Sequence, residues 1–203
     1  MDGPTSLGGS VPRIDLRIDM DAVQSANLSI PIPIRLHRAH DDGDSRPCIL
    51  YWTPTLHGFP RSGDGFKLFE RRDDGSDGAE IPIDHHSGGV PLPEGSRPLI
   101  VEGHTMFLWQ LAPGEEARFL SSLPERYRRV LDRGASYNLV WPGGEVLQWD
   151  WGTIPEHLGQ ELTARSRGSD SATPRLMLRA REENRAWFEV RTTPGRRGFG
   201  IRS

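Results

Sequence analysis

The adjacent histidines His85 and His86 are the most reactive-looking residues in this chain of 203 amino acids. Asp84 precedes them, and imidazole nitrogens with a nearby carboxylate are ligands that zinc accepts. Neighbouring side chains on an extended chain point apart, so a metal site would need further ligands, such as Glu102 and His104. A metal-dependent enzyme using His85, His86 and His104 is therefore one hypothesis. The other interpretation is a solvated histidine pair in a loop, and we expect no bound metal or cofactor.

Two further groups of polar side chains have simple structural explanations. The single cysteine, Cys48, begins an apolar strand without a cysteine-protease signature, which favours a small buried side chain over a nucleophile. A loop near it gathers possible metal ligands but lacks the spacing and closing glutamate of an EF-hand, so a polar turn explains it equally well. Those loop residues are His37, His40, Asp41, Asp42 and Asp44.

Three tryptophans, Trp141, Trp149 and Trp151, offer a stacking platform for a sugar or another small ligand if their face is exposed. Their strict alternation favours the core instead, as it does for Trp52 and Trp109. A small-ligand or carbohydrate-binding module using the tryptophan-rich face is nevertheless the main rival hypothesis. The sequence contains no phosphate-binding glycine loop, nucleophile elbow or dinucleotide fingerprint.

The segment 108–153 contains these three tryptophans and predicts strand, capped helical turn, strand, tight turn and strand. The capping-box spacing at 122–125 predicts a short helix. The alternating stretches 137–141 and 147–151 flank a Pro-Gly-Gly turn and predict two facing strands that form a wall of the core. The predicted apolar face of the helix consists of Tyr127, Val130 and Leu131.

The clearest single strand in the sequence is 28–37, whose apolar residues share one face. Pro31 and Pro33 remove amide donors on one lateral side of this strand, so we expect it at a sheet edge. Near the other end, a second capping box at 153–156 predicts a helix to about Leu162, and a terminal hairpin is expected with its turn at 182–184. Further strands are predicted at 13–20, 48–53, 66–71, 80–84 and 98–103.

Composition limits the possible functions of the chain. A hydrophobic content of 35% at this length is enough for one sizeable core. The net charge of −3 gives no electrostatic reason to expect nucleic acid, and the arginines are scattered and offset by acidic residues. No apolar run reaches the length of a membrane span, and the first residues do not resemble a signal peptide. We therefore expect a cytoplasmic or nuclear protein that binds neither nucleic acid nor membranes.

The sequence predicts one folded domain at 12–193, with a core at 13–151 and a C-terminal extension at 152–193. Residues 1–11 are small and polar and predict a disordered tail, and 194–203 predict a flexible basic tail. The fold class expected is an all-β antiparallel sandwich with a short crossover helix and a C-terminal helix plus hairpin. Exposed loops are expected at 40–47, 54–65 and 84–98, rich in glycine, proline and polar residues.

Several short runs resemble those of small, uncharacterised β-sandwich proteins of fungi. The pattern is also distantly similar to the pro-domain of deuterolysin-type secreted metallopeptidases. The resemblance implies an immunoglobulin-like or fibronectin-like sandwich that acts by packing against another protein. The chain lacks the HExxH zinc motif, so the resemblance implies neither protease activity nor inhibitory residues. The runs are LYWTP at 50–54, Phe66, LAPGE at 111–115, Tyr127 and GASYNL at 134–139.

These patterns together favour a non-catalytic β-sandwich that binds another protein through its loops or an exposed sheet edge. We expect no enzymatic activity, because the sequence shows a well-specified scaffold without a coherent set of catalytic residues. The partner and the oligomeric state do not follow from the sequence.

Overall fold

The computed structural model describes residues 11–19, 23–25, 31–53, 65–82, 99–123, 127, 130–146, 148–162, 176–179 and 184–190. Within these residues the chain is mostly β-strand with very little helix, as the sequence predicted. None of the helices among them is long and apolar enough to cross a membrane.

The described elements lie in the following order along the chain. The first strands are β1 (Ile14–Ile18), β2 (Val23–Ser25), β3 (Pro31–Arg38), β4 (Cys48–Tyr51), β5 (Lys67–Arg71), β6 (Asp77–Glu80) and β7 (Leu99–Ile100). The next are β8 (Leu108–Leu111), β9 (Glu116–Ser122), β10 (Ser136–Val140), β11 (Gly144–Val146) and β12 (Gln148–Trp151). One helical turn, α1 (Ile154–His157), precedes β13 (Glu161–Leu162), β14 (Leu176–Arg179) and β15 (Arg185–Val190).

The strands form two five-stranded sheets and two smaller ones. The first sheet has the order β11-β14-β1-β3-β9, and the second has the order β2-β15-β10-β5-β6. A third sheet, β12-β4-β8, and a pair, β13-β7, complete the structure. Apolar side chains from the first three sheets belong to one hydrophobic cluster, which is consistent with a β-sandwich.

Most strand pairs are antiparallel, as predicted, but two are parallel. Strand β1 pairs with β14, with Ile14 opposite Leu178, and β2 pairs with β15, with Val23 opposite Phe188. The expectation of a purely antiparallel fold is therefore wrong. Both parallel pairs join strands from opposite ends of the sequence, and such pairs leave no turn signal for sequence reasoning to find.

The placement of β3 corrects the prediction of an edge strand. It lies between β1 and β9 in the first sheet. The Pro33 carbonyl accepts a hydrogen bond from the Asp19 amide at 2.9 Å, just after β1 ends. The backbone of Pro31 faces the same lateral side, because alternate residues of a strand do so. The missing donors therefore face the side of β3 on which β1 is ending, while β3 pairs with β9 from Pro31 to His37.

The segment 108–153 contains an additional strand and lacks the predicted wall of two facing strands. Strand β9 was not predicted, and β10, β11 and β12 enter three different sheets instead of pairing with one another. The predicted crossover helix lies largely outside the described residues. Within it, Tyr127 is helical and buried. Val130 and Leu131 are not helical, so the prediction that they continue the helix is wrong; the Leu131 side chain is buried and Val130 is 44% exposed.

The C-terminal extension contributes to the same core as the rest of the chain. Helix α1 has the predicted capping box between Thr153 and Glu156, but it ends at His157 because Gly159 has a positive φ and β13 follows. The predicted terminal hairpin is wrong: β14 lies in the first sheet and β15 in the second. Asn184 joins the two sheets, since its amide oxygen accepts from the Ile18 amide at 2.8 Å and its carbonyl accepts from the Trp141 amide.

Candidate functional site

The proposed metal ligands do not form a site within the described residues. His85 and His86 lie outside them. The His104 ring is 87% exposed, and its Nε2 lies 3.0 Å from the Glu102 carboxylate. No group of three or more histidine, cysteine, aspartate or glutamate side chains is arranged to hold a metal in the part of the chain that the structure describes. His104 and Glu102 alone fall short of the four ligands of a structural zinc site.

The loop after β3 is organised by Arg38, a residue that the sequence analysis did not single out. Its side chain is fully buried, and its Nε and Nη2 donate to the Asp42 carboxylate at 2.6 and 3.0 Å. The remaining guanidinium hydrogens go to the carbonyls of Asp44 at 2.6 Å, Arg46 at 2.5 Å and Leu111 at 3.1 Å. All five donors of the guanidinium group therefore have an acceptor.

Asp42 and Asp44 stabilise the loop through hydrogen bonds and ion pairs with its own residues. Asp42 also accepts from the Arg13 amide at 3.3 Å. Burial alone would raise the pKa of Asp42, but the hydrogen bonds from Arg38 and the Asp44 amide outweigh it, so the pKa lies below its usual value. Asp44 binds the Arg46 side chain at 2.6 Å. The loop thus surrounds an internal arginine, and a polar turn is the interpretation that this geometry supports.

Trp151 stacks with the same loop. The guanidinium carbons of Arg38 and Arg46 lie 5.0 and 4.9 Å from the centre of its ring. Cation–π contacts of this kind fix an aromatic ring against a charged neighbour. The ring is half-buried under the loop, so Trp151 is engaged within the chain.

The other tryptophans of the proposed ligand platform lie in the core. Trp141 and Trp149 are 1% and 2% exposed, which confirms the prediction that they are core residues. Trp52 is also fully buried and meets Trp141 edge to face at 6.0 Å. The structure therefore offers no open face on Trp141, Trp149 or Trp52 to a ligand.

Cys48 lies where the sequence predicted, at the start of a buried strand. Its side chain is fully buried, and its Sγ lies 3.6 Å from the Leu111 carbonyl. Burial raises the pKa of the Cys48 thiol to about 12, even though nearby Arg38 acts in the opposite direction. Because the thiolate is the reactive form, this cysteine is chemically quiet at neutral pH.

The outer face of the second sheet carries a polar cluster that the sequence analysis missed. Asn138 on β10 is 1% exposed and donates to Asp77 at 2.8 Å, and Arg185 binds the same carboxylate at 2.9 Å. The Arg71 guanidinium lies 4.7 Å from the centre of the Trp187 ring. The turn between β5 and β6 covers Asn138, so these side chains are engaged with one another.

Among the residues that the structure describes, one edge of β9 has no strand paired with it, and we refer to it as the free edge. Strand β9 pairs with β3 over seven consecutive positions without a register shift, and it is the last strand in the order of its sheet. The Arg38 amide donates to the Glu115 carbonyl at 3.0 Å, so alternate residues from Glu115 onward face β3. The backbone groups of the residues between them therefore point away from the sheet. These outward residues are Glu116, Arg118, Leu120 and Ser122.

Exposed apolar side chains lie on β9 and just before β8. Leu120 is 68% exposed, and Met106, which precedes β8, is 72% exposed. Phe107 is 37% exposed and has a φ of 62°, the only positive φ of a residue other than glycine in the described ranges. The ring of Phe119 on β9 stacks on the ring of Trp109 on β8, with the ring centres 4.5 Å apart. The turn joining β8 to β9 brings both strands to this corner of the molecule.

Comparison of the chain with protein-family models, curated proteins and solved structures found no match. The resemblance to fungal β-sandwich proteins and to the deuterolysin pro-domain therefore stays a prediction.

Proposed function

We propose that this protein is a non-catalytic interaction module that binds an extended segment of another polypeptide along the free edge of β9. The observation that carries the proposal is a seven-residue edge strand with regular pairing on one side and outward-pointing backbone groups on the other. Such an edge is a template for an added strand, in which main-chain hydrogen bonds provide affinity and alternate side chains provide specificity.

The β9 edge lacks most of the features that usually prevent strand addition. Proteins protect sheet edges with prolines, bulges, charged side chains or very short strands. Strand β9 contains no proline or lysine and its register is continuous, and its charged outward residues, Glu116 and Arg118, lie in its first half and pair with each other. At the corresponding edge of the second sheet, β6 is four residues long and meets β5 with a register shift between Phe69 and Arg71. The contrast supports a binding role for β9.

The side chains that the sequence suggested as reactive groups are occupied inside the fold, and this supports a non-catalytic binding role. Asp42 and Asp44 bind arginines of their own loop, and Cys48 is buried with a raised thiol pKa. Trp141 and Trp149 are buried, so no observation favours the ligand-binding alternative at these positions. The immunoglobulin-like class is part of the same proposal. The shared core supports it, and the two parallel strand pairs are unusual for it.

Proline at position 120 tests the proposal directly. The Leu120 amide points away from β3, so Leu120→Pro removes one donor of the free edge and leaves the β3 ladder intact. We expect the variant to stay folded and to lose proteins that the wild type retains from an extract of the source cells. Leu120→Thr is the matched control, because it keeps the amide. Equal recovery by wild type and Leu120→Pro would refute a role for this edge.

A further inference from the structure

We infer that the segment bound along β9 is β9 of a second copy of this chain, so that the protein forms a two-fold symmetric dimer through this edge. The inference rests on the proposed function and names the partner at the same edge. Two antiparallel copies of β9 would continue the first sheet from one molecule into the other. Closed two-fold association of this kind is the commonest form of homo-oligomer.

The half of β9 that lies farther from the turn between β8 and β9 determines where the dimer axis is expected. At its beginning, β9 is close to β8, since the intervening turn is closed by a bond from the Glu115 amide to the Ala112 carbonyl at 3.0 Å. The end of the strand leads away from that turn and carries Leu120, which is 68% exposed. Pairing is therefore least hindered over residues 118–122. A two-fold axis at Leu120 pairs this half with itself.

Charge disfavours the neighbouring arrangement, even though Arg35 pairs with Asp19 and Glu116 and Arg118 pairs with Glu116. Arg17, Arg35 and Arg118 lie directly opposite one another on adjacent strands, so one row across the first sheet already contains three arginines. An axis at Arg118 would add three more arginines to the same row, and like charges directly opposite each other are destabilising. With the axis at Leu120, Arg118 lies opposite Ser122 of the other copy.

The Leu120 arrangement also buries apolar surface. The two Leu120 side chains would lie opposite each other on the same face of the joined sheet, within the distance of direct cross-strand neighbours. The backbone groups of residues 118, 120 and 122 point outward in both copies, so the hydrogen-bonding pattern is satisfied at these positions. An axis between Arg118 and Leu120 would instead place each leucine beside an arginine.

Engineered cysteines test both the dimer and its register. Cys48 is fully buried, so a cysteine introduced on β9 provides the accessible thiol. Under mild oxidation we expect Leu120→Cys to form a covalent dimer, and neither Arg118→Cys nor Ser122→Cys to do so alone. A mixture of the Arg118→Cys and Ser122→Cys proteins is expected to cross-link, because these positions face each other. Dimerisation of Arg118→Cys alone would overturn the inference.

Sedimentation of the unmodified protein provides the second measurement. We expect a concentration-dependent monomer–dimer equilibrium that Leu120→Lys weakens about tenfold or more, since it places two cations opposite each other. Leu120→Met serves as the matched control, because it keeps an apolar side chain. Circular dichroism of each variant confirms folding.

A monomer at all concentrations would overturn the dimer. If such a monomer still captured another protein in a manner sensitive to Leu120→Pro, the proposed function would stand and only the identity of the partner would be wrong. If the wild type neither dimerised nor captured a protein through this edge, both proposals would fail. The two measurements therefore separate the two failures.

Discussion

At the scale of single residues, the buried pair of Arg38 and Asp42 is the most sensitive point in the structure. We predict that Asp42→Asn lowers the free energy of unfolding by about 3–5 kcal/mol, because it leaves a buried guanidinium without its charged partner. Urea denaturation measures the change. Asp41→Asn is the matched control: Asp41 also pairs with an arginine, Arg13, but its side chain is 81% exposed. That variant should change stability by less than about 1 kcal/mol.

The pair of Arg38 and Asp42 also makes the free energy of unfolding depend on pH in the acidic range. The pKa of Asp42 is lower in the folded protein than in the unfolded chain, so the unfolded chain takes up its proton first as the pH falls. The stabilisation is complete above the unfolded pKa of about 4 and is lost as the pH drops through the lower folded value. Wild type should therefore lose its stability advantage over Asp42→Asn below about pH 4. A constant difference between the two proteins from pH 7 to pH 3 would contradict this assignment.

Cys48 provides a prediction on reactivity. Its thiol is fully buried and its pKa is raised to about 12, so a thiol reagent at pH 8 should label the native protein only as fast as the protein opens. Labelling in concentrated guanidinium chloride is expected to be much faster, because the unfolded chain exposes the thiol and returns its pKa to the ordinary value. Leu120→Cys provides an accessible thiol for comparison. Rapid loss of the Cys48 thiol in the native wild type would disprove its burial.

Some residues of the candidate sites could be predicted from the sequence and others could not. Alternation predicts that Trp141 and Trp149 lie in the core, and the position of Cys48 at the start of an apolar strand predicts its burial; the structure agrees for all three. The sequence analysis missed Arg38, although a signal was present: Arg38 follows Ile32, Ile34 and Leu36 at inward-facing positions of β3. A charged residue on that face requires a buried partner. Asp42 supplies it through a loop whose path the sequence did not reveal.

At the scale of elements, the start of β8 carries backbone strain. Phe107 has a φ of 62°, in the left-handed region of backbone conformation that residues other than glycine rarely adopt. We predict that Phe107→Gly unfolds with a free energy about 1 kcal/mol higher than Phe107→Ala, since both lose the aromatic ring and only glycine accepts the conformation without strain. Thermal and urea denaturation of the two variants measures the difference. Equal stability would show that β8 starts with a different backbone conformation.

Strand β9 shows why this element was missed. Its inward residues are Ala117, Phe119 and Ser121, which form too weak an apolar pattern to predict a strand by alternation. Its conformation is fixed by the long antiparallel pairing with β3, a contact between distant parts of the sequence. For the same reason β3 was predicted correctly as a strand and wrongly as an edge: its own residues determine its conformation, and β9 determines its neighbours.

At the scale of the whole molecule, the C-terminal strands are required for both large sheets. Strand β14 lies between β11 and β1, and β15 lies between β2 and β10. We predict that a chain ending at Leu162 has no cooperative unfolding transition, because each large sheet loses an internal strand and the core loses Leu178 and Phe188. Near-UV circular dichroism and urea titration test this.

A chain that ends at residue 193 is the matched control, since it keeps both strands, and it should unfold cooperatively. A folded, cooperative fragment ending at Leu162 would instead show that the C-terminal strands are an exchangeable addition to an independent core.

The two parallel pairs determine when this protein can fold. Because Ile14 is opposite Leu178 and Val23 is opposite Phe188, each of these pairs joins a strand to one that is made much later during synthesis. Contacts at such sequence separation slow folding, since a long loop must close before they form. The first large sheet cannot be completed until β14 has left the ribosome, and the second cannot be completed until β15 has. Until then, the apolar face of β3 lacks the core residues that β14 and β15 contribute, so the newly made chain depends on protection from aggregation for most of its synthesis.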